Sequence, residues 1–369
     1  MSATPSPPPR LRAEARLAAA ALADRGALAQ LALRADGAAI AQREKLGPAL
    51  ARAAVRAGLD SPATVAWRAE LRAGAATRLW LNAAAAELVE VLGQSGIPFL
   101  PIKGWDLGRR IYPAAEERPT SDLDLLLPAA RLEEAVAALA GRQFRSLQQG
   151  RYAALYLRQE GYAAALRAPA GQLVELHFRL WGSAPAGLDA AILAAAAADP
   201  GLGTAALAAR LEHAYLLAAF HLFLDPPPRP AGAFRDLALL AEQRLDAEFL
   251  LAECRRFGLA LPVALASATA AALYGVAGCA ELAAVLREEL RWPERQLGWS
   301  AEVGSGPLFL ARLLAGRPSR HGWRILWRRL WPHRGVVEAA TAAERPWLLR
   351  RLWYQWKLVR GQLRPGEKR

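Results

Sequence analysis

The chain contains few of the side chains that build soft-metal sites: two cysteines and five histidines among 369 residues. Cys254 and Cys279 lie in apolar, helical-looking segments without metal-binding spacing, so we expect buried thiols and a reducing cytoplasm. His213 and His221 are accompanied by no third ligand of suitable spacing. A zinc site of the histidine–cysteine kind is therefore not supported.

Several other signals are also missing. The G-x-x-x-x-G-K pattern of a Walker loop does not occur, and no solenoid period repeats along the chain. Apolar runs such as 190–198 are rich in alanine and much shorter than the roughly 20 residues that span a bilayer. The proline-rich residues 1–10 lack the apolar centre of a secretory signal, and we expect them to be a disordered tail.

Hydrophobic residues are plentiful: they make up 54% of the chain, which is enough to bury a sizeable core. The length of 369 residues suggests two or three domains or subdomains. Alanine-rich helical patterns flank a central stretch with strand patterns, which predicts an α+β protein. We expect five segments: a tail (1–10), an N-terminal helical region (11–75), an α/β core (76–185), a helical domain (186–305) and a basic, tryptophan-rich C-terminal segment (306–369).

The most informative stretch of the core is Asp122-Leu-Asp124-Leu-Leu-Leu127, which reads as a strand that begins with two acids. Because strand side chains alternate between faces, Asp122 and Asp124 share one face, roughly 7 Å apart along the backbone. Two carboxylates on one face form a hard oxygen site that suits Mg²⁺. The alternative is a polar strand end with solvated acids.

A second strand predicted downstream supplies a third acid. In Leu173-Val174-Glu175-Leu176-His177, alternation places Glu175 and His177 together on one face, and the preceding 166–171 reads as the first strand and turn of a hairpin. If this strand lies beside the Asp122 strand, Glu175 completes a three-carboxylate cluster. Such a cluster can hold two metal ions for in-line phosphoryl or nucleotidyl transfer. Alone, Glu175 would be a salt-bridge partner.

Upstream of both strands, residues 98–102 read as a short buried strand, after which Lys103 and Gly104 open a helix. Gly104 lets the backbone approach a ligand closely, and free amides at a helix start favour an anion. Lys103 adds a flexible positive charge, so the pair predicts a phosphate cradle. An ordinary strand-to-helix turn is the alternative.

Taken together, these motifs resemble the uncharacterised nucleotidyltransferase family of the DNA polymerase beta-type superfamily. The family pattern runs L-K-G, Y-P, R-x-x-x-D-x-D and V-E-L-H, and the resemblance covers roughly residues 75–245. The matching positions are Lys103, Gly104, Tyr112, Pro113, Arg118, Asp122, Asp124, Glu175, Leu176 and His177.

The resemblance implies a small mixed nucleotidyltransferase-type sheet with flanking helices, and transfer of a nucleotidyl group from an NTP with Mg²⁺ or Mn²⁺. Asp122, Asp124 and Glu175 would be the catalytic metal ligands. The nucleotide would be bound by a second set of residues: Lys103, Gly104, Arg118, His177 and Arg235. Since families of this kind occur beside bacterial surface-polysaccharide biosynthesis, a sugar, lipid-linked or small-molecule acceptor is expected.

Polar residues also stand out in the second helical part. The resemblance places a histidine-bearing helix and an Arg-Asp-bearing helix after the core, where His213, His221 and Arg235 could close over the nucleotide or its acceptor. Arg235 is the phosphate candidate, and Asp236 is expected to orient Arg235 or a neighbouring helix. Polar residues satisfied at a helix surface are the alternative.

The C-terminal segment carries most of the excess charge. Residues 310–369 contain 15 Lys and Arg against 3 acids, and the whole chain has a net charge of +13. Trp323, Trp327 and Trp331 recur every four residues with arginines between them. This pattern suits an anionic membrane surface. Nucleic acid, or a tryptophan face packed on the core, are the alternatives.

Three functions are consistent with these features: a nucleotidyltransferase, a nucleotide-binding or regulatory protein with little chemistry, and a membrane-surface assembly factor. The complete set of acids favours the first. We expect a cytoplasmic protein, peripheral at the inner face of the membrane.

Overall fold

The computed structural model describes residues 11–147, 162–180, 184–224 and 229–290. The predicted tail (1–10) and the basic, tryptophan-rich segment (306–369) lie outside the described residues.

The backbone forms two compact units. Among the described residues, unit 1 contains 11–80, Ile102–Thr120 and 210–290, and unit 2 contains Leu81–Pro101 and Ser121–Ala209. The division falls inside one long helix, between Trp80 and Leu81.

Unit 2 is built on short strands. In chain order they are β1 (Leu100–Ile102, whose last residue is grouped with unit 1), β2 (Asp122–Leu126), β3 (Arg145–Ser146), β4 (Ala163–Arg167), β5 (Leu173–His177), β6 (Ala197–Ala198) and β7 (Leu207–Ala208). The first five form one sheet in the order β1-β2-β5-β4-β3, and β6 pairs with β7. Strands β2 and β5 are parallel, whereas β5, β4 and β3 pair antiparallel. The predicted α+β class with a small mixed sheet is confirmed.

The sheet forms where the sequence alternates. Leu123 and Leu125 of β2 and Val174 and Leu176 of β5 are all buried, and by alternation they share the face opposite the acids. Burying this apolar face fixes the register, because a slip by one residue would move the leucines to the acidic face. The predicted hairpin is confirmed as β4 and β5, which turn through Gly171 at a φ of +97°.

Among the described residues, unit 2 also contains α-helices: the second half of α5 (Pro62–Gln94), α7 (Leu132–Ala140) and α8 (Leu188–Ala194). The leucines near the end of α5 show which side of this helix faces the core. Leu81, Leu88 and Leu92 are buried, but Leu79 is 72% exposed. At 100° per residue, Leu79 and Leu81 point to opposite sides of the helix, so only one of them can face the core.

Unit 1 is helical. Its helices are α1 (Ala13–Ala20), α2 (Arg25–Leu33), α3 (Gly37–Arg43), α4 (Gly47–Ala57), the first half of α5, α6 (Lys103–Arg110), α9 (Leu211–Leu224), α10 (Ala231–Ala241), α11 (Ala247–Phe257), α12 (Ala260–Tyr274) and α13 (Ala277–Glu289). Helix α12 packs against α9, α10 and α13. The expected buried thiols are confirmed at Cys254 and Cys279.

The two compact units divide the chain at other positions than the domain boundaries expected at 75/76 and 185/186. Helix α5 runs through residues 75 and 76, and unit 2 continues through α8 and the β6–β7 pair to Ala209. The predicted domain limits stay predictions. Within the described residues, no helix is both long enough and apolar enough to cross a membrane.

Candidate metal centre

The candidate metal centre in unit 2 begins with the pairing of β2 and β5. Asp124 and Glu175 are directly opposite each other in the parallel register, and Leu126 is opposite His177. Side chains opposite each other point to the same face, so Asp124, Glu175 and His177 share one face of the sheet. The sequence made this neighbourhood of the two strands the condition for a shared cluster, and the pairing meets that condition.

His177 is in contact with both carboxylates. Its Nε2 lies 2.8 Å from Oδ1 of Asp124 and 3.3 Å from Oε2 of Glu175. Since ionised carboxylates only accept hydrogen bonds, Nε2 donates in this geometry. His177 is fully buried, and its ring is stacked on that of Tyr162 at a centroid distance of 5.7 Å. The imidazole is thus held by packing as well as by its polar contacts.

These three residues fit a metal ion. One ligand atom from each of Asp124, Glu175 and His177 can be chosen so that all three lie within 4.8 Å of one another. Among the described residues, they are the side chains whose ligand atoms converge in this way. Asp124 is buried and Glu175 half-buried, so a bound cation would be only partly hydrated.

The observed cluster differs from the expected one by one member. The sequence predicted Asp122, Asp124 and Glu175, whereas the converging atoms belong to Asp124, Glu175 and His177. Asp122 lies on the same face by alternation, as the first residue of β2, and is half-buried. Its role as a ligand stays a prediction.

The predicted phosphate cradle belongs to unit 1 and begins at the expected residue, since α6 starts at Lys103. Lys103 has a φ of +60°, a left-handed conformation that costs a residue with a Cβ of order 1 kcal/mol or more. A β-carbon on Gly104 would lie 2.8 Å from Oγ1 of Thr120 and 3.3 Å from Nη1 of Arg118. Gly104 therefore allows the start of α6 to approach the loop that contains Arg118 and Thr120.

Arg118 is held by helix α10. Its Nε and Nη2 donate to Oδ1 and Oδ2 of Asp236, each at 2.8 Å, and its Nη1 donates to the Pro119 carbonyl. Tyr112 donates its hydroxyl to the same Asp236 carboxylate at 2.7 Å. Burial, together with the charge of Asp236, raises the pKa of Tyr112 well above its usual value, so the phenol remains a donor.

The adjacent residues Arg235 and Glu117 form a second ion pair. Arg235, just before Asp236, donates from Nη2 to Oε2 of Glu117 at 2.6 Å, and its guanidinium lies over the Tyr112 ring at 4.9 Å. Consecutive residues Glu117 and Arg118 thus pair with consecutive residues Arg235 and Asp236. We call this set, with Tyr112, the double ion pair.

The double ion pair shows which residues Arg235 and Asp236 of α10 contact. Asp236 orients Arg118 rather than Arg235. Arg235 is buried and already donates from Nη2 to Glu117. Its role in binding phosphate stays a prediction.

The histidines of α9 have structural contacts. His213 is buried, and its Nε2 lies 3.0 Å from Oε2 of Glu253 in α11, with the Phe249 ring edge-on to the imidazole. This contact joins two helices of unit 1. His221 is half-buried on the same helix. Their expected role over the nucleotide stays a prediction.

The sequence motifs indicated the main site residues, but not which side chains contact each other. Glu117 was passed over, although the order Glu-Arg at 117–118 is complementary to Arg-Asp at 235–236. His177 was assigned to the nucleotide rather than to metal, although its spacing of two from Glu175 on one strand already placed both on the same face.

The comparisons with known proteins agree with this geometry. A family model described as an uncharacterised nucleotidyltransferase matches residues 36–275, more than half of the chain. No curated protein matches the chain. The matched range contains the two paired strands, the start of α6 and the double ion pair. The chain therefore belongs to this uncharacterised nucleotidyltransferase family.

Proposed function

We propose that the protein is an Mg²⁺- or Mn²⁺-dependent nucleotidyltransferase that transfers the nucleotidyl group of an NTP to an acceptor hydroxyl. The observation that carries the proposal is the parallel register that places Asp124 opposite Glu175, with His177 between their carboxylates, in a member of a nucleotidyltransferase family.

The reaction forms a bond from the acceptor oxygen to the α-phosphorus and breaks the α–β phosphoanhydride bond, and pyrophosphate leaves. Divalent cations, when bound, favour loss of the hydroxyl proton and neutralise the leaving pyrophosphate. Asp122, Asp124 and Glu175 would hold these cations. Three acids would be enough to hold two cations, which would stabilise the attacking and the leaving oxygen.

Lys103 and the Gly104 amide would bind the triphosphate. The support comes from the backbone of Lys103, which is in the left-handed region, where glycine would fit without strain. A lysine at a position that costs conformational energy favours a functional role for its side chain. Arg118 would fix the loop that leads to Asp122, because three of its nitrogens are engaged by Asp236 and Pro119. Arg235, which donates to Glu117 through Nη2, would contact phosphate through its remaining N–H groups.

The acceptor class we propose is a sugar, a lipid-linked compound or another small hydroxyl compound. The basic, tryptophan-rich C-terminal segment supports a place at an anionic membrane surface on the cytoplasmic side, where a lipid-linked acceptor would be found. This part of the proposal rests on sequence alone.

A thermal-shift titration tests nucleotide and metal binding together. Each NTP with Mg²⁺ or Mn²⁺ should raise the melting temperature of the wild type, since ligands that bind the native state stabilise it. Asp124→Asn should lose this gain, whereas Asp189→Asn, a change in the same unit outside the metal cluster, should keep it. A gain of equal size in Asp124→Asn would reject the metal role.

A further inference from the structure

We infer that His177 is itself a metal ligand, and that the cluster of Asp124, Glu175 and His177 binds a first-row transition dication in preference to Mg²⁺. The inference deepens the metal-binding part of the proposed function and is independent of whether nucleotidyl transfer occurs.

The spacing of the three side chains is that of ligands around one ion. Two ligand atoms, each about 2.0–2.2 Å from a cation and at about 90–110° to each other, lie roughly 3.0–3.5 Å apart. Nε2 of His177 lies 2.8 Å from Asp124 and 3.3 Å from Glu175. Shifts of a few tenths of an ångström would therefore place a cation between Nε2 and both oxygens, in the position of the hydrogen that Nε2 now donates.

The imidazole is preorganised for this role. Strand β5 fixes Glu175 and His177 at a spacing of two, and β2 supplies Asp124 from the paired position. The stacked Tyr162 ring and complete burial restrict the rotation of His177. A ligand that is already oriented loses little conformational freedom when the ion binds.

The ligand types then decide which ion is favoured. Mg²⁺ prefers six oxygen ligands and keeps several waters, whereas imidazole nitrogen favours Fe, Ni, Cu and Zn. Affinities for mixed nitrogen and oxygen sites rise from Mn²⁺ toward the later metals. Two carboxylates and one imidazole should therefore bind Zn²⁺ more tightly than Mn²⁺, and Mn²⁺ more tightly than Mg²⁺.

A matched control exists in the same chain. His213 is another buried histidine with Nε2 at hydrogen-bonding distance from a glutamate, Glu253, but it is outside the converging set of three ligands. Replacing His213 removes a buried histidine–carboxylate pair and should leave the metal site intact.

The test uses the full-length protein, with Mn²⁺ alone as the spectroscopic probe and Zn²⁺ and Mg²⁺ as competitors. Pulsed electron paramagnetic resonance of bound Mn²⁺ should show coupling to one ¹⁴N nucleus, which becomes ¹⁵N coupling after labelling of histidine. His177→Gln should abolish the coupling and weaken Mn²⁺ binding about tenfold or more, with Mg²⁺ binding changed by no more than about twofold. His213→Gln should retain both coupling and affinity.

Three results would overturn the inference: bound Mn²⁺ without nitrogen coupling in the wild type, unchanged Mn²⁺ affinity and coupling in His177→Gln, or absence of Mn²⁺ binding. The wild-type spectrum remains decisive if His177→Gln does not fold, and Asp124→Asn, which should lose bound Mn²⁺, provides a second variant. Nitrogen coupling in a protein that turns over no NTP would leave the inference standing and remove the proposed reaction.

Discussion

Arg118 and Asp236, 118 positions apart in the chain, are joined by two parallel hydrogen bonds of 2.8 Å each. The planar fork of arginine matches a carboxylate in this bidentate way. Arg118 lies four residues before Asp122, the first residue of β2. Tyr112 donates to the same carboxylate and completes the contact.

The first prediction concerns this pair. Asp236→Asn should lower the free energy of unfolding by about 3–5 kcal/mol, because it leaves Arg118 facing a neutral group in a largely buried position. Arg118→Lys should also destabilise, since an ammonium cannot reproduce the bidentate contact. Chemical denaturation measures both. Glu134→Gln, which breaks an exposed ion pair with Arg131, is the control and should have little effect.

The account of the double ion pair would be contradicted by Asp236→Asn unfolding at the same denaturant concentration as the wild type. Tyr112→Phe should cost less, about 1 kcal/mol, because it removes one hydrogen bond and leaves the charged pair intact.

The second prediction concerns Gly104. Gly104→Ala should destabilise by about 1–3 kcal/mol, since the new methyl group would lie 2.8 Å from Oγ1 and 3.2 Å from Cβ of Thr120. Adding Thr120→Ala should recover part of the loss by removing the closer atom. Gly93→Ala in α5, where the described residues beyond the glycine's chain neighbours and the adjacent helix backbone leave 4 Å of space around the added carbon, should instead stabilise by up to about 1 kcal/mol. Thermal unfolding of the three variants shows whether the steric contact with Thr120, rather than helix propensity, determines the effect of alanine at position 104.

The third prediction separates the backbone of Lys103 from its side chain. Lys103→Gly should be more stable than Lys103→Ala by about 1 kcal/mol, because only glycine adopts a φ of +60° without strain. Both variants should bind NTP more weakly than the wild type, measured by calorimetry. Unchanged NTP affinity in both would reject the phosphate role while leaving the backbone argument intact.

The fourth prediction concerns the C-terminal segment. Full-length protein should float with vesicles of phosphatidylglycerol and phosphatidylcholine, whereas a version ending at Pro318 should not. Added salt should weaken the association without abolishing it, because screening removes the arginine contribution and leaves indole insertion. Flotation of the truncated version to the same extent would reject this surface, and competition by single-stranded nucleic acid would favour base stacking instead.

Local patterns predicted much of unit 2. The alternation around Asp122 and the hairpin that contains Glu175 are encoded within a few residues, as is the helix start at Lys103 in unit 1. The pairing of β2 with β5 entered only as a condition for the three-acid cluster, and its parallel direction was not predicted. Strand limits were less well predicted: β1 begins at Leu100 rather than at residue 98.

Long-range partners could not be predicted in the same way. The complementary order of residues 117–118 and 235–236 does not by itself specify that Arg118 pairs with Asp236, because the two meet only when α10 packs in unit 1. The β6–β7 pair also escaped prediction, since two-residue strands in an alanine-rich stretch produce no periodicity. The converging position of His177 depends on the register of two strands, which the sequence of either strand alone does not specify.

The central claim is metal-dependent nucleotidyl transfer, and release of pyrophosphate tests it most directly. Wild-type protein would be incubated with each NTP, with Mg²⁺ or Mn²⁺, and with a bacterial extract of small molecules and lipids as the source of acceptor. We predict pyrophosphate release from at least one NTP that is lost in Asp124→Asn and retained in Asp189→Asn. Release no greater than that of Asp124→Asn, for every NTP and both metals, would contradict the claim.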